Sequence, residues 1–195
     1  MTRFLHSDLE VLYNLAQIIG TPLELKDQLE QVLSILSAEA EMERGMISIL
    51  DRDSGEAILD LAHGVDIEGL DITYKPGEGI TGQVALTGKP MIVANLGKDE
   101  QFLDRTGARK YLDRSELSFI CVPIVYDGKV VGVLSADKVA HQVDDQEYEI
   151  GFLSAVAGLI AKAVYTRSIE EENLRLKNIL GRSQDEQTAR TTPQV

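Results

Sequence analysis

The chain is poor in cysteine, aromatic residues and positive charge. Cys121 is the only cysteine in 195 residues. No intrachain disulfide can form, and an all-thiolate zinc or iron–sulfur site within one subunit is excluded. Such usage fits a reducing cytoplasm. Tryptophan is absent, and the aromatic side chains are six tyrosines and four phenylalanines. The three histidines, His6, His63 and His141, have no metal-ligand spacing between them. Nineteen Lys and Arg stand against 32 Asp and Glu, a formal net charge of -13. This excludes the basic footprint of a nucleic-acid-binding domain and works against anionic membranes. Any role connected with DNA is expected to run through a partner or a domain not present here. The N-terminal stretch MTRFLHSDLE has no apolar core of signal-peptide length. No apolar run reads as approaching membrane-spanning length. The expectation is a soluble, cytoplasmic protein of one domain with extra elements.

What is present is a change of period along the chain. Leu5, Leu9, Leu12, Ala16 and Ile19 recur at heptad spacing on an N-terminal helix. Phe4, Val11, Leu15 and Ile18 add apolar surface beside that seam. The helix is therefore expected to touch both its own domain and a second subunit. Thr21-Pro22 opens a second helix, with Leu25, Leu29, Val32, Leu33 and Leu36 facing inward. The period then becomes two. GMISILDRDSGEAILDLAHG reads as two strands around a polar loop, Asp51 to Gly55. LSFICVPIVYDGKVVGVLSAD reads as a hairpin on a type I′ Asp127-Gly128 turn. Between the hairpins lie a short helix near Ile80–Leu86, a short strand MIVAN and an irregular stretch. From Asp144 the chain is helical again, through Ile150, Leu153, Ala157, Ile160 and Val164. The seam slips there and resumes at Ile169, Asn173, Leu176 and Leu180. This predicts an exit helix over 169–181 that pairs with its own copy, with Asn173 setting register; a frayed, solvated helix is the alternative. Residues 182–195 are polar and predict a disordered tail or the start of a further domain.

Two phosphate motifs are approached and missed. Gly77-Glu78-Gly79-Ile80-Thr81-Gly82 fits the dinucleotide fingerprint, with Asp99 and Glu100 about where a ribose carboxylate belongs. The preceding residues alternate instead of forming a doubly buried strand, and Gly88 and Pro90 stop the following helix early. The glycines therefore predict a tight turn. Gly88-Lys89 resembles the end of a P-loop, but Pro90 stands where the magnesium hydroxyl is needed.

PGEGITGQVALTGKPMIVAN, the CVPI…G…GVL hairpin and the long exit helix, in this order, resemble a GAF domain over roughly residues 4–168. The resemblance implies an α+β sensor fold. A central antiparallel sheet would carry the N- and C-terminal helices on one face. Short helices and loops would close a ligand pocket on the other. FLDRTGARKYL is similar, more narrowly, to a segment of the N-terminal sensor of NifA-type activators of sigma-54 RNA polymerase, and ENLRLKNILGRSQ resembles the linker and first residues of the ATPase domain in such activators. In that group an ATPase domain and a helix-turn-helix follow, so sigma-54 polymerase would be an indirect partner. Whether this chain is a fragment, a truncated product or a stand-alone relative is left open by the sequence.

Arg105, Arg109, Lys110 and Arg114 form a cationic cluster in an acidic chain. They suit a carboxylate or phosphate ligand, or else pair with Asp104, Asp113 and Glu116 on the surface. Phe102 and Phe119 wall the pocket or pack the core. Cys121 is a small hydrophobe unless exposed. The resemblance implies a ligand set of Phe102, Arg105, Arg109, Phe119, Cys121 and Lys138. It also implies regulatory sensing through a homodimer of the terminal helices, with 2-oxoglutarate or a similar anion as effector and no resident cofactor. Of the cyclic-nucleotide signature only Lys138 and Glu147 survive, though that ligand stays an alternative. A bilin-attachment cysteine and the several cysteines of the methionine-sulfoxide-reducing relatives are missing, so no enzyme is expected. The rival expectation is a ligand-free dimerisation or docking module, which a closed, filled core in place of a pocket would favour.

Overall fold

The alternating segments pair into one six-stranded sheet in the computed structural model, which describes residues 6–140 and 145–191. The strands are β1 (Glu43–Leu50), β2 (Ala57–Ala62), β3 (Thr73–Tyr74), β4 (Met91–Val93), β5 (Leu117–Tyr126) and β6 (Lys129–Val139). Their order is β3-β2-β1-β6-β5-β4, and every pair is antiparallel. The β5–β6 hairpin turns on Asp127 and Gly128, at φ 49° and 71°. Positive φ at both residues gives the type I′ twist that keeps the arms paired.

Period two makes the sheet a partition, because successive side chains point to opposite faces. One face carries Ile47, Ile120, Val122, Ile124, Leu134 and Ala136. Two helices cover it: α2 (Leu25–Glu39) and the start of α4 (Gln146–Thr191). α2 supplies Leu29, Val32, Leu33 and Leu36, all buried as its pattern predicts, while Leu25 is half-buried. α4 supplies Phe152, Leu153, Val156, Ala157 and Ile160. α1 (His6–Ile19) lies on α2 and α4.

The helices bear on three expectations. On α1 the core face is Val11 and Leu15, while Leu9 and Ala16 of the heptad seam are exposed. The helix is apolar on two faces, and the seat between α2 and α4 decides which one turns inward. Leu5 lies outside the described residues. Gln146–Arg167 is, by length and composition, long and apolar enough to cross a membrane, with mean hydropathy 1.3. The reading that no run approaches that length therefore fails. Its apolar face is committed to the sheet. Finally, α4 runs unbroken from 146 to 191, past the seam slip after Val164 and through residues 182–191, where a disordered tail or the start of a further domain was expected. Asn173 is exposed; the side chains of Leu176 and Leu180, and residues 192–195, lie outside the described residues.

α3 (Gly79–Thr87) and the irregular segment 94–116 cover the opposite face. The Gly77–Gly82 turn closes on itself: Gly77 N donates to Gly82 O at 2.8 Å and Glu78 N to Lys75 O at 2.9 Å. A Cβ on Gly82 would lie 2.2 Å from the Lys75 carbonyl. The glycines thus serve a turn that packs backbone on backbone, and the antiparallel sheet rules out the dinucleotide fold.

Candidate functional site: a buried arginine in the sheet pocket

The second face collects Met46 and Ser48 from β1, Leu59 from β2, Tyr74 from β3, Phe119 from β5 and Ser135 from β6. Asp137 joins them, since it is the register partner of Phe119 across β5 and β6. Across this surface comes segment 94–116, folded as successive turns that carry Phe102, Arg105 and Arg109. Asp99 caps the approach, accepting from the N–H groups of Gln101 and Phe102 at 2.9 and 2.7 Å.

Arg109 enters the pocket and is 2% exposed. Its Nε and Nη2 donate to the two oxygens of Asp137 at 2.7 and 2.8 Å, the bidentate fork that guanidinium and carboxylate share. Nη1 donates to Asp104 Oδ1 at 3.1 Å. The guanidinium lies 5.1 Å from the Phe102 centroid and 5.6 Å from that of Phe119. Those two rings meet edge to face at 4.9 Å. Burial works against the Arg109 charge, and Asp137 and then Asp104 outweigh it, so its pKa is raised.

Asp137, fully buried, has a second partner. Arg44 Nε donates to its Oδ2 at 2.6 Å. Arg44 sits in the left-handed region at φ 47°, where the β1–β6 register shifts between Glu43 and Met46. A bulge beside a site re-aims a side chain, here at a local cost of roughly 1–3 kcal/mol that the ion pair offsets. Arg44 also meets Glu43 at 2.9 Å, so two guanidiniums are held among three carboxylates. The free cavity inside is about 10 Å³, room for a single water.

Arg105 stays at the rim. It is bonded to Glu78 and to the Thr73 carbonyl, and lies 5.2 Å from the Tyr74 centroid. Burial raises the Tyr74 pKa, and the charges of Arg109 and Arg105 counter it only in part. Arg114 lies 5.4 Å from the Phe102 centroid and donates to Leu96 O.

The expected ligand set is therefore split. Phe102, Phe119 and Arg109 come together in the pocket, and Arg105 guards its mouth. Cys121 is fully buried behind them in the same apolar cluster. Burial pushes its thiol pKa far up, with Thr81 countering weakly, so a reactive thiolate is disfavoured. Lys138 does not face the pocket. It follows Asp137 on β6 and so points to the helix face, where it meets Glu149 of α4 at 2.7 Å. The sequence reading missed Asp137 and Arg44 as functional candidates. An aspartate inside the β-branched run of β6 was a usable signal for the first. Nothing in the pattern announces the bulge that aims Arg44.

Residues 24–164 match the family model described as GAF domain. The chain is similar to the Nif-specific regulatory protein of Azospirillum lipoferum, 36% identical over 87% of this chain and 28% of that protein. It is also similar to the nitrogen fixation protein VnfA of Azotobacter vinelandii, 33% identical over 89% of this chain and 35% of that one. The chain thus spans about a third or less of these relatives' length. Among solved structures, the GAF domain of A. aeolicus nlh2 in an inactive state superposes with TM-score 0.73 at 24% identity, covering 83% of this chain and 97% of that one. The free methionine-R-sulfoxide reductase of Neisseria meningitidis superposes with TM-score 0.66 at 19% identity, over 84% of this chain and 92% of that one. At such identities the likeness establishes the fold alone.

Proposed function

Because the chain belongs to the GAF domain family, with Nif-specific regulators among its relatives, we propose that it is the regulatory sensor of a NifA-like sigma-54-dependent activator. The effector is an anion, with 2-oxoglutarate as the first candidate. The observation that carries this is Arg109: a guanidinium buried where a sensor of this fold takes its ligand, with one of its carboxylate partners on an irregular covering segment. A ligand carboxylate is chemically equivalent to that partner. With only about 10 Å³ free, the closed pocket is the resting state, and segment 94–116 must move to admit a ligand.

The signal leaves through α4, which packs on β5 and β6. Asp137 and Lys138 are neighbours with opposite facings, one on Arg109 and one on Glu149 of α4. Loss of the Arg109 contact therefore acts on a strand clamped to the exit helix. Homodimerisation uses the exposed stripes of α1 and α4. The sigma-54 polymerase is reached through a further domain, in the cytoplasm, and the chain itself is not a catalyst.

A second reading is favoured by the closed cavity, namely a docking module that needs no small molecule. Thermal unfolding with 2-oxoglutarate, cyclic AMP and cyclic GMP, each alone, separates the two. A ligand at a hundred times its dissociation constant adds about 2.7 kcal/mol. A raised midpoint with 2-oxoglutarate, lost in Arg109→Ala, is the expected result. A response only to a cyclic nucleotide replaces the anion reading, and no response to any of the three favours the docking module.

A further inference from the structure

Resting on the anion reading, we infer that Asp104, seconded by Glu78, is a built-in competitor that occupies the effector's place on the arginines and sets its affinity. Arg109 has two carboxylate partners of different standing. Asp137 is fully buried, grips two nitrogens and shares its charge with Arg44. It is part of the wall. Asp104 holds only Nη1, and its side chain is 17% exposed. It is the carboxylate of Arg109 that solvent reaches, so an entering anion meets Nη1 at Asp104's expense.

The neighbouring cation repeats the arrangement. Arg105 pairs with Glu78, whose side chain is 32% exposed, beside the pocket-lining Tyr74. Two arginines, one buried and one at the rim, each holding one partly exposed carboxylate, are matched in charge by a single dicarboxylate that replaces both. The apparent affinity of such a ligand is reduced by the fraction of protein in which the internal carboxylates are in place. Asp104 also accepts from the backbone N–H of Arg109 at 3.0 Å. Its departure would therefore loosen the turn that carries the arginine, which links ligand entry to movement of the covering segment.

The test is calorimetric titration of wild type, Asp104→Asn and Glu78→Gln with 2-oxoglutarate and with glutarate, and with neutral glutaramide as control. Asp104→Asn keeps an oxygen for the Arg109 N–H and removes the competing charge. We expect it to bind the dicarboxylates at least about tenfold tighter than wild type, with Glu78→Gln tighter by a smaller factor. Glutaramide binding stays unchanged, which a merely structural loosening would not produce. Wild type that binds while both variants bind equally or more weakly overturns the competitor assignment and leaves the anion reading standing. Absence of dicarboxylate binding in all three proteins overturns both. Should Asp104→Asn not fold, Glu78→Gln alone decides, because its carboxylate lies at the rim.

Discussion

The two faces of the sheet are built from the same strands by opposite means. The helix face is filled by interlocking aliphatic side chains from β1, β5, β6, α2 and α4. Its cohesion is additive and local, and each residue contributes by the area it removes from water. The pocket face has aliphatic side chains too, but its centre is a charged knot in which Asp137 bonds Arg109 and Arg44 together. Asp137 joins the two arginines, and Asp104 and Glu43 complete the balance of charge; there the energy is conditional, since a buried charge is tolerated only while its partner stays. One face is suited to rigidity. The other is suited to being switched, because changing one partner changes the state of all of them.

The comparison breaks first at Asp137. Asp137→Ala leaves the buried Arg109 against two aromatic rings with Asp104 alone, takes from Arg44 its buried partner, and should cost about 3–5 kcal/mol, read from the urea midpoint. Arg109→Met should cost markedly less, since Arg44 still neutralises Asp137. Equal losses from the two variants would show that the knot is not organised around Asp137. On the helix face, Leu153→Ala in the fully buried core should cost about 3 kcal/mol, through lost transfer energy and cavity. It should leave effector affinity unchanged. A change in affinity there would show that the faces are not independent.

Lys138 and Glu149 sharpen the contrast, as an ion pair on the aliphatic side. Glu149 Oε2 is buried with no hydrogen-bond partner among the described residues. Replacing both by Met and Leu should be near neutral, while Lys138→Met alone strands a buried carboxylate. A double-mutant cycle should return a coupling of about 1–3 kcal/mol. A coupling near zero would remove this pair as the clamp between β6 and α4.

The fold was legible because its signals are local. The Asp127-Gly128 turn, the Asp51–Gly55 loop and the period-two runs each specify their own geometry, and the observed strands follow them. The Gly77–Gly82 stretch was legible for the same reason, once its flanking pattern was weighed against the dinucleotide motif. The site was legible only in part. Arg109 could be found as one cation of a cluster, but Arg105, four residues away, was equal to it in sequence and lies at the rim. What separates them is the seating of a segment without regular periodicity. Lys138 was placed on the wrong side because the family signature was carried over without counting strand alternation from Phe119. Counting from its cross-strand partner Asp137 puts that aspartate in the pocket and its neighbour behind the sheet. On α1 both faces are apolar, and only the docking of the helix chooses which one turns inward.

The smallest effect expected is with pH, and it belongs to the rim of the pocket. The N–H of Lys75 donates to the Glu78 carboxylate, burial opposes this, and Arg105 adds its charge; together they hold Glu78 below its ordinary pKa of 4.5. A carboxylate depressed on folding stabilises the native state above its unfolded pKa, and that contribution is lost as pH falls through the folded value. The loss therefore falls below pH 4.5 and is absent at neutrality. Asp51 and Asp113 are lowered as well, by bonds from Ser54 and Ser115, so the whole protein should weaken in the same acid range. The difference between wild type and Glu78→Gln isolates the rim. The urea midpoint of wild type should exceed that of the variant at neutral pH, and the gap should close on acidification. A gap that stays constant through the acid range would mean that Glu78 contributes by packing, and that the charge at the pocket mouth is not held by Arg105.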